Sequence, residues 1–189
     1  MKRAFTLIEA VIVIAGVLIL AMFLWPVLAR ARDNNRRSSC QSNLKQIGLG
    51  FMQYVRDYDE TMPPARPTSL TGWANVLQPY VKSVQLFQCP SAQQKTTLFA
   101  SDYFYNRRLA RRSFGQMTNS AWTIMVGEGP DSASTWSSWT KLPADASTNH
   151  NSPTQRHFDG ANYCFLDGHV KFLTPQEVSA SKQIKWTMD

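Results

Sequence analysis

Cysteine is scarce in this chain: Cys40, Cys89 and Cys164 are the three among 189 residues. None stands in a CxxC pair or at a paired cysteine/histidine spacing, so no local stretch reads as a zinc site. An odd count allows one internal disulfide at most and leaves a thiol over. Catalytic signatures are lacking as well. There is no GxSxG, no HExxH, no glycine-rich phosphate loop and no EF-hand spacing. An anchored hydrolase using His157 and Asp167 is the one enzymatic reading the residues offer, and the chain is expected not to be an enzyme. Acidic residues are outnumbered, 13 against 20 basic, for a net charge of +7. That balance is compatible with nucleic acid, anionic lipid or acidic proteins and selects none of them.

Charge is also nearly missing from the start of the chain. From Ala4 to Ala29 there are 26 residues with Glu9 as the one charged side chain. Roughly 20 apolar residues suffice to cross a bilayer as a helix. A carboxylate at that depth is a functional signal that needs a partner. A plain membrane anchor leaves Glu9 idle. A secretory signal would use Lys2-Arg3 as its basic start and Val27-Leu28-Ala29 as its cleavage site. Signal cores span about 7–15 residues, however, and Glu9 would interrupt this one. A third reading cuts the chain between Ala4 and Phe5 and keeps the helix. It gives the Met1-Lys2-Arg3-Ala4 leader a purpose and supplies Glu9 with a partner, the new terminal amine.

The stretch Ala4-Phe5-Thr6-Leu7-Ile8-Glu9 resembles the processing site of type IV pilins and type II secretion pseudopilins. The resemblance implies cleavage by a prepilin peptidase and N-methylation of Phe5. It also implies pairing of Glu9 with a neighbouring subunit's amine during filament assembly, since a carboxylate in an apolar bundle is tolerable only when paired. Pro26 falls where such helices often carry a proline and is expected to kink or locally melt the helix. Ala4 departs from the family's usual glycine, which implies slower cleavage. The flanking charges, Lys2 and Arg3 before the segment and Arg30, Arg32, Arg36 and Arg37 against Asp33 after it, would by loop-charge bias alone keep the globular part in the cytoplasm. The processing motif is the more specific signal and carries more weight.

Beyond Pro26 the helical pattern continues. Cys40, Leu44, Ile47, Phe51, Val55 and Tyr58 recur at helical steps and form one apolar face. Pro63-Pro64 and Pro67 are expected to end the helix. Residues 73–84 read as a short helix or turn with Trp73, Leu77, Tyr80 and Val81 inward. Residues 86–90 read as a short strand or turn, and Tyr103–Asn106 as extended. Trp122–Val126 is the strongest mid-chain strand. Residues 127–156 are polar throughout and read as one long surface loop. Asn162–Leu166 and His169–Leu173 flank Asp167-Gly168, a two-residue hairpin signal of type I′. Tyr163 and Phe165 share one face of that strand, Cys164 and Leu166 the other.

His157, nine intervening residues and Asp167-Gly168 match a His-x9-Asp-Gly signature of pilin-like proteins that carry a domain of unassigned function. Cys40 to Leu49, Cys89-Pro90-Ser91 and Tyr103 to Asn106 look like the same group. His157, Asp159, Asp167 and His169 are the candidates for a metal. Some pseudopilins hold calcium in a C-terminal loop, so a structural calcium ion is the cofactor to weigh, although histidines are poor calcium ligands. Turn chemistry alone accounts for these residues, with His157 bonding across the hairpin, and is preferred. Arg107-Arg108 and Arg111-Arg112 beside Phe104, Tyr105 and Phe114 make a basic, aromatic stretch of the kind that tracks nucleic acid. A solvated face explains it as well, and nucleic acid is not an expected partner. A disulfide between Cys40 and Cys89 would tie the helix to the domain in an oxidising compartment. Cys164 is then a buried free thiol.

The sequence thus predicts an α+β fold, with one long N-terminal helix, transmembrane in its first half, packed on a small antiparallel sheet. The expected divisions are a leader at 1–4, a transmembrane and filament-core helix at 5–29, its amphipathic continuation at 30–60 and a globular domain at 61–189. The resemblance implies a subunit of a type IV pilus-like or pseudopilus filament, polymerising with its own kind or with other pilin-like subunits. It would wait in the inner membrane with its domain in the periplasm. The opposing reading is a membrane-anchored or secreted periplasmic binding module that never polymerises.

Overall fold

The computed structural model describes residues 6–93 and 99–187, with Ala133 through its backbone alone. The chain divides into two compact units, Met1–Asn35 and Arg36–Asp189. The helix α1 (Leu7–Asp57) contributes to both.

In the first unit α1 is apolar on every side between Glu9 and Arg30, and its large side chains from Leu7 to Leu28 are exposed. A helix that is hydrophobic all round belongs in lipid or in a protein core. This one is long and apolar enough to cross a membrane. The helix is unbroken through Pro26, so of the two outcomes expected there, a kink or local melting, melting does not occur. A proline deletes one backbone donor, and the intact ladder on either side holds the remaining turns.

In the second unit α1 buries Cys40, Leu44, Ile47, Gly48, Gly50, Phe51, Tyr54 and Val55. Tyr58 does not join this face. It is 52% exposed and stacks on Tyr54, ring centroids 4.2 Å apart. The helix stops at Asp57, before the prolines. Asp59 and Glu60 both take positive φ, 48° and 54°, and a left-handed residue beyond the last turn closes a helix.

Helix α2 (Trp73–Val81) starts at Gly72, whose N–H donates to Asn75 Oδ1 at 2.8 Å. A Cβ at Gly72 would lie 2.1 Å from the carbonyl oxygen of Thr135, so only glycine fits there. Val84–Phe87 is a turn of 3-10 helix, where the sequence suggested a strand or turn slightly later.

Five strands form the sheet: β1 (Ser101–Asn106), β2 (Ile124–Ala133), β3 (Ser138–Trp139), β4 (Ala161–Phe165) and β5 (Val170–Leu173), in the order β3-β1-β2-β4-β5. All neighbours are antiparallel except β1 and β3, which are parallel, so the sheet is mixed. The fold is α+β as expected. The stretch from 127 is not one loop: β2 runs on to Ala133, and β3 follows. Its polar residues mislead because the strand's outer end is held by hydrogen bonds as much as by apolar burial.

Both faces of the sheet are covered. Tyr103, Tyr105, Met125, Val126, Cys164 and Leu166 join the α1 and α2 core. A bulge between Ile124 and Val126 lets Met125 and Val126 face the same way. Phe104, Ile124, Tyr163 and Phe165 meet Trp139, Ile184 and Trp186 on the opposite face. Strands β1 and β4 are therefore buried at every position. A short helix, α3 (Pro175–Ala180), follows β5. Thr174 caps it by accepting from the Glu177 N–H, and Glu177 accepts from the Thr174 N–H in return.

The β4–β5 turn has three residues, not two. Phe165 N–H donates to His169 O, and Gly168 N–H to Phe165 O. Gly168 alone takes positive φ, 84°. One left-handed glycine after a tight turn makes the bulged hairpin that Asp-Gly also serves.

Candidate functional site

Two places hold residues that packing alone does not explain. The first is the start of α1. Leu7 is the first helical residue, which makes Thr6 the cap and Glu9 the third helical position. The Thr6 N–H and hydroxyl both donate to Glu9 Oε2, at 2.9 and 2.8 Å, and the Glu9 N–H points back to Thr6 Oγ1 at 3.4 Å. This is a capping box. It was legible as Thr6-x-x-Glu9 just before an apolar run, and the sequence reading missed it. Within one chain, Glu9 thus has Thr6 as its partner. Ala4 and Phe5, the expected cleavage and methylation residues, lie outside the described residues.

The second place lies inside the other unit, where four distant parts of the chain meet. Helix α1 supplies Cys40, which forms a disulfide with Cys89, 49 residues away. Strand β2 supplies Glu128, and the turn before β4 supplies His157. All four residues are buried, and their ligating atoms lie within 4.8 Å of one another. His157 Nε2 is 3.0 Å from Glu128 Oε1 and 3.8 Å from Cys89 Sγ. Its other ring nitrogen, Nδ1, is 3.5 Å from Ser91 Oγ. Glu128 also accepts from the Asn162 backbone N–H at 3.2 Å and from Asn162 Nδ2 at 2.9 Å. That Asn162 amide donates in addition to the Arg37 carbonyl of α1, while its own Oδ1 has no partner among the described residues.

A polar frame surrounds this centre. The Cys89 N–H donates to Asp102 Oδ2 at 2.8 Å, and the Ser132 N–H to Oδ1 of the same carboxylate at 2.6 Å. Burial raises the Asp102 pKa above its ordinary value, against the opposing pull of those two N–H groups and of Arg156. Arg156 donates to the carbonyls of Asp102 and Gly129 and pairs with Asp131. The residue beside the signature histidine thereby pins β1 to β2. The turn itself is tight: His157 and Gly160 exchange backbone hydrogen bonds, and Phe158 takes positive φ, 58°.

The four sequence-level metal candidates do not converge. His157 points into the core, and Asp159 is exposed on the tight turn. Asp167 and His169 pair with each other on the hairpin, Oδ1 to Nδ1 at 2.6 Å. Lys45 of α1 docks that hairpin by donating to the Gly168 carbonyl at 2.7 Å. The sequence reading missed Glu128 and Asn162. A carboxylate flanked by two glycines, Gly127-Glu128-Gly129, inside a strand pattern was the available signal. Phe104 and Tyr105 are wholly buried, so they offer no face for stacking bases beside the arginines.

Cys164 is a buried free thiol on the helix side of β4, its pKa pushed up to about 12 by burial. Beside the centre opens a polar cleft of about 390 Å³, lined among others by Ser91, Asp131, His150, Ser152, Gln155 and Arg156. Ser91 borders both the cleft and His157.

Residues 29–81 match the family described as a protein of unknown function (DUF1559). That span contains the Cys40 to Leu49 stretch on which part of the pilin-like resemblance rests. No curated protein and no solved structure matches the chain.

Proposed function

We propose that this protein is a structural subunit of a type IV pilus-like or type II secretion pseudopilus filament. Prepilin peptidase would cut it between Ala4 and Phe5, and Phe5 would be methylated. The chain would then leave the inner membrane for a polymer of its own copies or of related subunits, its domain on the periplasmic side. The observation that carries this reading is the 51-residue helix α1. Its first part exposes an all-apolar surface with a single acid, and its last part forms the core of a domain. Burying that surface among neighbouring helices would drive assembly. Glu9 would exchange its Thr6 partner for a neighbour's terminal amine and so set the register. The buried His157 serves as a structural strut in this reading, not as a general base, and the chain is not an enzyme.

The polar cleft beside Ser91 is the observation that favours the second reading, a periplasmic binding module anchored by the same helix. Intact mass and N-terminal sequence of the protein from its native membrane or sheared filament fraction separate the two. A chain that begins at Phe5, is one methyl group heavier, and is recovered in filaments supports the subunit. A chain beginning at Met1 or near Arg30 refutes it.

A further inference from the structure

We propose that Cys40, Cys89, Glu128 and His157 form a second, metal-holding state of the same centre: when the disulfide is reduced, they bind one zinc-type divalent cation. The four ligating atoms already lie within 4.8 Å of one another, all buried. Zinc sits at about 2.3 Å from sulfur and about 2.0 Å from nitrogen or carboxylate oxygen, so tetrahedral ligand atoms stand roughly 3.3–3.8 Å apart. His157 Nε2 and Glu128 Oε1, at 3.0 Å, and His157 Nε2 and Cys89 Sγ, at 3.8 Å, are close to those edges already. The bonded sulfurs must separate, and breaking their bond permits that. Two thiolates, an imidazole and a carboxylate suit zinc better than calcium or magnesium, which prefer all-oxygen sites.

Each ligand except Cys40 has a visible orienting partner, as zinc ligands commonly do. Ser91 Oγ stands by His157 Nδ1 and can accept its N–H in the tautomer that leaves Nε2 free for the metal. Asn162 holds Glu128 through two donors, and Asp102 holds the Cys89 backbone. Ser91 also lines the open polar cleft, which gives a reductant or a hydrated cation a route to within one residue of the centre.

The chemistry balances. A dithiol of the thioredoxin class gives two electrons and two protons to the disulfide, becoming a disulfide itself, and leaves two cysteine thiols. The cation then displaces those two protons. Disulfide and metal exclude each other, and the redox state of the compartment selects between them.

The test uses the full chain in detergent, reduced with a phosphine, which does not compete for metal as a thiol would. Titration with Co2+ is expected to give one ion per chain, with a thiolate-to-cobalt charge-transfer band and the strong visible bands of tetrahedral cobalt, displaced by Zn2+. The oxidised chain should give none. His157→Gln and Cys89→Ser should weaken binding by more than the 10–100-fold typical of outer partners, while Cys164→Ser leaves it unchanged. Absence of cobalt uptake by the reduced, folded chain overturns the proposal, as does equal uptake by the oxidised chain or by Cys89→Ser. Should reduction unfold the domain, circular dichroism decides: refolding by one equivalent of Zn2+ supports the site, and failure to refold overturns it.

Discussion

His157 Nε2 stands 3.0 Å from Glu128 Oε1 with neither side chain exposed to solvent. Removing one member of such a pair strands the other in a low-dielectric interior. His157→Ala is expected to cost about 3 kcal/mol of domain stability, and Glu128→Gln, which keeps a polar group in place, about 1–2 kcal/mol. In a double-mutant cycle of His157→Ala and Glu128→Ala, thermal unfolding should give a coupling of about 1–3 kcal/mol. Additive losses would mean that each residue acts through other neighbours.

The Cys40–Cys89 bridge closes a loop with a sequence separation of 49. In the chain-entropy picture a bridge of that span stabilises by about 4 kcal/mol. Cys40→Ser with Cys89→Ser should lower the unfolding midpoint, and a reductant should do the same to the wild type without metal. If the double variant melts where the oxidised wild type does, the bridge is not tying helix to domain.

Much of this architecture was legible. The helix, its apolar face from Cys40 to Val55, the β4–β5 hairpin and its two-faced alternation all follow from period and turn residues. The centre was only half legible. Cys40 and Cys89 were expected as a pair and His157 apart from them, but Glu128 was not expected at all, because its role depends on β2 lying between β1 and β4. Register is set by packing and by the bulge near Met125, neither of which leaves a local mark. Strand β3 pairs parallel to β1 over two residues, too short for any periodic signal. The miss at Tyr58 has another cause: the backbone turns left-handed at Asp59 and Glu60, which ends the helix before its periodicity does.

Asp102 should leave a mark on the pH dependence of stability. Its folded pKa is raised, chiefly by burial, so the folded state binds this proton more tightly than the unfolded chain. The stabilisation is full below the unfolded value of about 4 and is lost as pH rises through the folded value. Asp102→Asn removes that dependence and one acceptor for the Cys89 and Ser132 N–H groups. The variant should be less stable than wild type, and the wild-type advantage should shrink between pH 4 and pH 7. A gap that widens with rising pH would contradict the sign.

Cys164 sits behind Gly48, where an added Cβ would come within 2.8 Å of its sulfur. A buried thiol whose pKa is pushed up to about 12 is almost entirely protonated at pH 8, and the thiolate is the reactive form. Iodoacetamide should therefore leave the native oxidised chain unlabelled and add a single label in denaturant. Native labelling on the timescale of a model thiol would show that this part of the core opens readily. Gly48→Ala should cost about 1–3 kcal/mol through overpacking against the same sulfur.

Thr6 and Glu9 make the assembly mechanism separable from helix capping. The hydrogen bonds between them form a capping box within one chain, worth about 1 kcal/mol of local helix stability. Assembly through Glu9 needs only its carboxylate. Thr6→Ala removes the cap and keeps that charge; Glu9→Gln keeps a capping group of the same shape and removes the charge. If Glu9 pairs with a neighbour's terminal amine, Thr6→Ala should still form filaments, while Glu9→Gln and Glu9→Ala should insert into the membrane normally yet fail to polymerise. Counting sheared filaments against membrane-retained subunit measures this directly. Equal loss in Thr6→Ala and Glu9→Gln would reduce Glu9 to a capping residue, and normal filaments from Glu9→Ala would remove it from assembly altogether.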